Sequence, residues 1–461
     1  MDRGAIAQAD GEPSDRKVAT PPSGKRKKTQ IVVVGGGAGG LELVTRLGAY
    51  FGNRDYDIIL VERNRTHVWK PLLHEVAAGA LDANLDEVGY RAHCRRWRYR
   101  FFFGSLKDVD RERREVVIAP LTDEDGTEIM GEHRIRYDYL VIAVGSVTND
   151  FATPGVRENC VFLDSRDDAD RFRVKLLNHC LRVSRRMMMD AAVDEYVSIG
   201  IIGGGATGVE LAAELFNAAS ALRYYGLEVF DESRLKVTLL EAGPRILPAL
   251  PHDLSDAARA ELEDLGVKVI TDAAVTEVTP TAIRTKDGVE HPANLRVWAA
   301  GVRGPDFLKD MAGLETNRIN QLVVRPTLQT TRDDRVFALG DCASYTEAGA
   351  ARPVPPRAQA AHQEATTVFK NIRALIKGRP LKTFHYNDHG SLVSLSRYST
   401  VGSLMGNLVG GRMAIEGRIA RFVYVSLYRM HLIAIHGWLA GLGLILLGRV
   451  QQVMRPRLKL H

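Results

Sequence analysis

Cysteine is scarce in this chain. There are four in 461 residues, Cys94, Cys160, Cys180 and Cys342, and no two stand at C-x-x-C spacing. Neither a zinc ribbon nor a redox dithiol is indicated, and no metal site is expected. Four separate thiols suit a reducing compartment, where free cysteine is usually a small buried residue. An apolar leader is lacking too. Residues 1–28 are rich in Pro, Ser, Lys, Arg and acids and read as a disordered basic tail, not a secretory signal. Asp2, Asp10, Glu12 and Asp15 argue against an organellar presequence, because such peptides are poor in acids. Long uncharged stretches are rare. The main one is Met430–Gly448, 19 residues without Lys, Arg, Asp or Glu. At 45% hydrophobic and 26% charged, the composition is globular and excludes a fibrous or disordered chain. Much of the net charge of +6 sits in Lys25–Lys28 and in Arg449, Arg455, Arg457 and Lys459. Basic chain ends fit anionic lipid or nucleic acid.

What the chain does have is a repeated device. Residues 35–42 read GGGAGGLE and residues 203–210 read GGGATGVE, identical at six of eight positions. Each copy follows a short apolar run that reads as a buried strand, Ile31–Val34 and Ile199–Ile202. Each precedes a helical pattern, Leu41–Leu47 and Val209–Leu215. Strand, glycine turn and helix make a dinucleotide cradle. Gly35 and Gly203 permit the tight turn. Gly37 and Gly205 let the backbone approach a pyrophosphate, and Gly40 and Gly208 let helix and strand pack closely. The helix N-terminus adds free N–H groups and partial positive charge. An acid ends the next strand of each copy, Glu62 and Glu241. A carboxylate there accepts from ribose hydroxyls and repels a 2′-phosphate, so Glu241 predicts NADH over NADPH. Gly203 to Glu241 exceeds the usual spacing of about 20 residues, which places an insertion between roughly Asn217 and Leu235. Two cradles imply two cofactors, and FAD with a nicotinamide is the simplest donor–acceptor pair.

Short β-rich stretches follow the first copy, at Tyr99–Phe103, Glu115–Ile118 and Tyr139–Ala143. The last runs into Ala143-Val144-Gly145, where small residues allow close passage by a cofactor. The second copy ends likewise in Trp298-Ala299-Ala300-Gly301, and Val336–Leu339 leads into Gly340-Asp341. With WKPLLHE at 69–75, GDCA at 340–343 and RAQAAHQ at 357–363, the chain resembles the two-dinucleotide-binding-domain flavoproteins. More closely it is similar to the type II NADH:quinone oxidoreductases, from about Thr29 to His461.

That resemblance implies an α/β fold of two Rossmann-like domains with a C-terminal membrane-associated helical segment. Residues 29–155 and 316–400 would form a discontinuous FAD domain, 156–315 an inserted NADH domain, and 401–461 a membrane-anchoring segment. FAD, non-covalently bound, would meet Gly35, Gly37, Ala38, Gly39, Gly40, Glu62, Lys70, Ala143, Gly145, Asp341, Ala358 and Gln359. NADH would meet Gly203, Gly205, Thr207, Gly208, Glu210, Glu241, Ala300 and Gly301, with Glu210 near the nicotinamide. Gln359 and Gln363 would line the quinone pocket. They lie four apart on one helix face, and an amide can both donate and accept. Pro355-Pro356 should open this helix, its N-terminus toward the flavin N1 side. His362 points off that face, with a structural role and proton transfer both open.

The Met430–Gly448 stretch is borderline in length for a span and rich in Gly and His. With Arg418, Arg421 and Arg429 before it, Arg449 and Arg455 after it and Trp438 within it, it reads as a helix or helix pair lying in the membrane interface. One such segment cannot form a proton channel, so pumping is not expected. The implied place is the cytoplasmic face of the inner (plasma) membrane, the implied partners lipid and quinone; a homodimer is left open. No nucleic-acid partner is expected. The rival readings are a soluble NADH-dependent ferredoxin or rubredoxin reductase and a sulfide:quinone oxidoreductase-like enzyme, the latter using Cys160 and Cys342.

Overall fold

Ile31, Val32 and Val33 have no exposed surface. A run that is apolar on both faces and β-branched is what a central parallel strand requires, and Thr29–Val34 is one. The structure, a computed structural model, describes residues 28–454 except 53–54, 82–86, 191, 193, 223–229, 231, 396–398, 407–410 and 417–427. The expected basic tail, apart from Lys28, and Arg418, Arg421, Arg455, Arg457 and Lys459 lie outside the described residues.

Thr29–Val34 pairs in parallel with Tyr56–Glu62 on one side and Tyr139–Ile142 on the other. The six-stranded sheet runs Gln329–Thr330, Asp333–Ala338, Tyr139–Ile142, Thr29–Val34, Tyr56–Glu62, Arg100–Phe103. Its first two strands come from the chain after the second glycine copy, so the first unit is discontinuous. The second unit is a parallel sheet, Lys268–Ile270, Leu235–Leu240, Val197–Ile202, Leu295–Trp298. Each glycine loop feeds a helix, Ala38–Phe51 and Ala206–Leu222. The second helix continues to Leu222, so the insertion expected from Asn217 begins as helix; residues 223–229 lie outside the described residues.

Each sheet has its own apolar core. Two segments cross between them. The helix Leu73–Ala78 follows the first unit's second strand, yet Leu73, Val76 and Ala77 pack in the second unit's core. Val393 and Leu395 pack there too. They belong to an antiparallel sheet of Gly390–Leu395, Ser399–Gly406 and Gly411–Glu416. Residues 401–406 and 411–416, expected within the membrane segment, are therefore strands. Among the described residues the helical end occupies 428–436, breaks at Gly437 with φ +80°, and resumes as Trp438–Met454. No helix among the described residues is long and apolar enough to cross a membrane.

Candidate active site

The two glycine loops share one geometry. Gly35 and Gly203 have φ of +104° and +113°, which side chains rarely adopt. A Cβ on Gly40 would stand 1.9 Å from the Gly35 carbonyl oxygen, and one on Gly208 2.0 Å from that of Gly203. Gly37 and Gly205 differ: a Cβ there meets nothing within 4 Å. Each loop thus closes against its own helix and leaves backbone bare at the helix N-terminus, as a pyrophosphate needs. The acids are placed alike. Glu62 accepts from the Gly36 N–H at 2.7 Å and the Asn64 N–H at 2.9 Å. Glu241 accepts from Gly204 at 2.7 Å and Gly243 at 2.8 Å. Each carboxylate braces its loop and keeps acceptor capacity for ribose hydroxyls. The residues present fit a dinucleotide in each cradle.

The exits of the cradles converge. Ala143 and Gly145 lead into Val147–Thr148, and Ala300 and Gly301 into Val302–Arg303; these two strands pair with each other. Asn149 N–H donates to the Gly301 carbonyl at 3.2 Å, and the Trp298 indole N–H to the Asn149 carbonyl at 2.9 Å. WKPLLHE links the parts. Lys70 Nζ donates to the Ser146 carbonyl at 3.1 Å and stands 3.7 Å from Asp164. His74 Nδ1 lies 3.5 Å from Glu210 Oε2, both buried where the bridging helix meets the second glycine helix. Burial holds His74 down at about 4, against a hydrogen bond to the Pro71 carbonyl, so its ring is neutral at pH 7.

Asp341 accepts from the Ser146 hydroxyl at 2.8 Å, which brings the Gly-Asp turn to the Gly145 exit. Gln321 Nε2 donates to the Asp341 carbonyl at 2.9 Å. Behind this turn Glu364 is almost fully buried and accepts from the Gly340 N–H at 2.6 Å. Burial raises its carboxyl to about 7, opposed by that N–H, with Asp341 adding repulsion. Ser146, Asp164, Gln321 and Glu364 were not singled out in the sequence. Glu364 had a signal, an acid one residue beyond RAQAAHQ; the others had none.

The helix after Pro355-Pro356 starts at Ala358 and runs to Ile376. Gln359 and Gln363 both face the segment that follows this helix. Gln359 Nε2 donates to Asp388 and its Oε1 accepts from the His389 N–H, each at 3.2 Å. Gln363 donates to the Asn387 carbonyl at 2.8 Å and accepts from its N–H at 2.9 Å. His362 turns the other way. It pairs with the buried Glu42 of the first glycine helix and stacks on Trp69, centroids 5.8 Å apart. Burial would raise Glu42, but the bond and charge of His362, with Arg46, bring it below the ordinary carboxylate range.

Cys342 is buried in the first unit's core, its thiol pushed up to about 12 by burial. Cys160 packs in a separate cluster beside Trp298. Among the described residues no group of His, Cys, Asp and Glu is placed to hold a metal ion.

Residues 29–365 match the pyridine nucleotide-disulphide oxidoreductase family. A curated type II NADH:quinone oxidoreductase of Haemophilus influenzae is 49% identical over 442 residues, covering 94% of this chain and 99% of that protein. Another, from Staphylococcus aureus, is 29% identical over 401 residues, 84% of this chain and 92% of the relative. The structure of NDH2 from Plasmodium falciparum in complex with NADH superposes with a TM-score of 0.73 at 19% identity, covering 88% of this chain and 94% of that one. Fold and site define a two-cradle pyridine-nucleotide flavoprotein. The chain belongs to the pyridine nucleotide-disulphide oxidoreductase family and, within it, to the type II NADH:quinone oxidoreductases.

Proposed function

We propose that this chain oxidises NADH and reduces a membrane quinone through bound FAD, without pumping protons: NADH + H⁺ + quinone → NAD⁺ + quinol. The observation that carries this reading is the convergence of the two cradle exits, Gly145 and Gly301, on one ladder. FAD, when bound, accepts hydride from a nicotinamide and passes its electrons to a second acceptor.

The chain's part is to hold, orient and exclude. Gly35, Gly37, Ala38, Gly39 and Gly40 receive the FAD pyrophosphate, Glu62 its ribose, and Lys70, Ala143, Gly145, Asp341, Ala358 and Gln359 the rest. Gly203, Gly205, Thr207 and Gly208 receive the NADH pyrophosphate and Glu241 its ribose, while Glu210, Ala300 and Gly301 flank the nicotinamide. The N-terminus of Ala358–Ile376 turns its partial positive charge to the flavin, favouring negative charge there. Gln359 and Gln363 line the quinone pocket. Each anchors residues 387–389 as its wall, and an amide can both donate to a quinone oxygen and accept from a quinol.

The apolar helix Trp438–Met454 is read as the lipid contact. Trp438 is 71% exposed, Leu439 89% and Leu446 62%, the pattern of a helix lying in an interface, not packed in a core. The proposed place is the cytoplasmic face of the inner membrane.

The test is steady-state NADH oxidation with a short-chain quinone in Gln359→Leu and Gln363→Leu. Losing one hydrogen bond should lower kcat/KM for quinone about five- to tenfold, while NADH bleaches the flavin as in wild type. Equal loss of both half-reactions would contradict the assigned pocket.

A further inference from the structure

The two glycine loops differ in what holds the carbonyl oxygen of the second glycine. In the second unit the Gly204 carbonyl accepts from the Leu247 backbone N–H at 2.7 Å, a local contact that cannot titrate. In the first unit the Gly36 carbonyl is held by side chains, the Tyr90 hydroxyl at 2.7 Å and His67 Nδ1 at 3.0 Å. His67 Nε2 lies 3.0 Å from His431 Nε2, on the helix 428–436. A carbonyl only accepts, so Nδ1 of His67 carries its proton. In the neutral ring Nε2 is then the acceptor, and His431 donates from its own Nε2. The chain runs from the C-terminal helix through two imidazoles to the flavin loop.

This joint is dry. His67 is 5% exposed and His431 1%, and His431 Nδ1, a bare lone pair in the neutral ring, has no partner among the described residues. Ile435, one turn on, is wholly buried in the first unit's core, and its carbonyl lies 2.7 Å from His93 Nε2. Trp69 lies against the His431 ring, centroids 4.1 Å apart.

We propose that His67 and His431 are positioning residues: through this pair the helix 428–436 holds the Gly36 carbonyl of the flavin loop, and the pair takes up protons as this buried joint opens. The proposal rests on the reading of residues 35–40 as the flavin cradle. Other groups around the pair offer no rescue for a positive charge. His362 from the glutamine helix shares Glu42, from the first glycine helix, with Arg46. Glu62 serves the Gly36 and Asn64 N–H groups and lies beside Tyr90. His93 comes from the helix Tyr90–Trp97 and His436 from the 428–436 helix itself; a proton on either would oppose one on the pair, and Arg96 beside them lowers both.

The sign follows from burial. Burial lowers His67 from 6.5 to about 4, against its bond to Gly36, and lowers His431 well below its ordinary value. Opening the joint therefore takes up protons. The hold is complete above about 6.5 and weakens as pH falls toward about 4.

The test is hydrogen exchange of the full-length flavoprotein between about pH 8 and about pH 5, corrected for intrinsic rates. Protection of 428–436 and of the 35–40 loop should fall together, by up to about tenfold per pH unit for each proton taken up. His431→Phe keeps an aromatic ring against Trp69 but cannot titrate. It should lose one proton from that dependence and uncouple the loop from the helix; His67→Gln should do the same from the other side. An unchanged pH dependence in both variants, or a helix that opens while the loop stays protected, would overturn the proposal. A protein purified without flavin would count against the cofactor reading alone, because the helix arm is read without it.

Discussion

Gly37 and Gly40 are three residues apart and demand opposite things. At Gly40 an added Cβ strikes the Gly35 backbone at 1.9 Å, so Gly40→Ala forces the helix off the strand. Overpacking of this kind costs about 1–3 kcal/mol. At Gly37 the added group faces open space with φ −64°. Gly37→Val should leave the thermal midpoint of the flavin-free protein nearly unchanged and abolish flavin retention, read as loss of yellow colour. Glu364 gives a pH test at the same scale. Its folded value, raised to about 7 from 4.5, means the folded protein holds a proton that the unfolded chain releases. Its contribution is present below about 4.5 and is lost as pH rises through about 7. Glu364→Gln, which preserves the acceptor for the Gly340 N–H, should be more stable than wild type at pH of about 8. The gap should reach a few kcal/mol and close in acid. Equal midpoints at both pH values in a thermal scan would count against the buried proton.

At the scale of elements, legibility followed the demands of the backbone. The cradles could be read because only glycine meets the φ of Gly35 and the contact at Gly40. The glutamine helix could be read because two prolines mark its start. The bridging role of Leu73–Ala78 could not, because its leucines and alanines suit either core and only tertiary contact decides. The His67–His431 contact spans 364 residues and leaves no local trace. Ser399–Gly406 and Gly411–Glu416 were passed over since glycines and serines weaken strand periodicity. The exposed leucines of Trp438–Met454 predict their own test. Each apolar side chain moved into lipid is worth about 1.5–3 kcal/mol. Leu439→Glu with Leu446→Glu should therefore cut liposome binding at least a hundredfold, a change of about 2.7 kcal/mol, in a flotation assay. Bleaching of the flavin by NADH should be unaffected. Undiminished flotation would remove this helix from the membrane contact.

At the scale of the molecule, two units of like design are held so that their cradle exits meet, and one short motif, WKPLLHE, touches all parts. Trp69 meets the glutamine helix through His362 and the C-terminal helix through His431; Lys70 meets the first exit, and His74 meets Glu210 in the second unit. The proposed preference for NADH rests on Glu241. Glu241→Gln should raise KM for NADH and narrow the preference over NADPH by roughly tenfold, the loss of one charge repulsion, in paired kinetics with both nucleotides. An unchanged ratio would assign that selectivity elsewhere.

The central claim is that hydride enters from a nicotinamide and electrons leave to a quinone through one flavin. Anaerobic titration of the purified protein at about 450 nm reads this directly. NADH should bleach the flavin band at one equivalent, and a short-chain quinone added afterwards should restore it without oxygen. A colourless protein, a band that NADH leaves intact, or a bleached band that quinone does not restore would contradict the account.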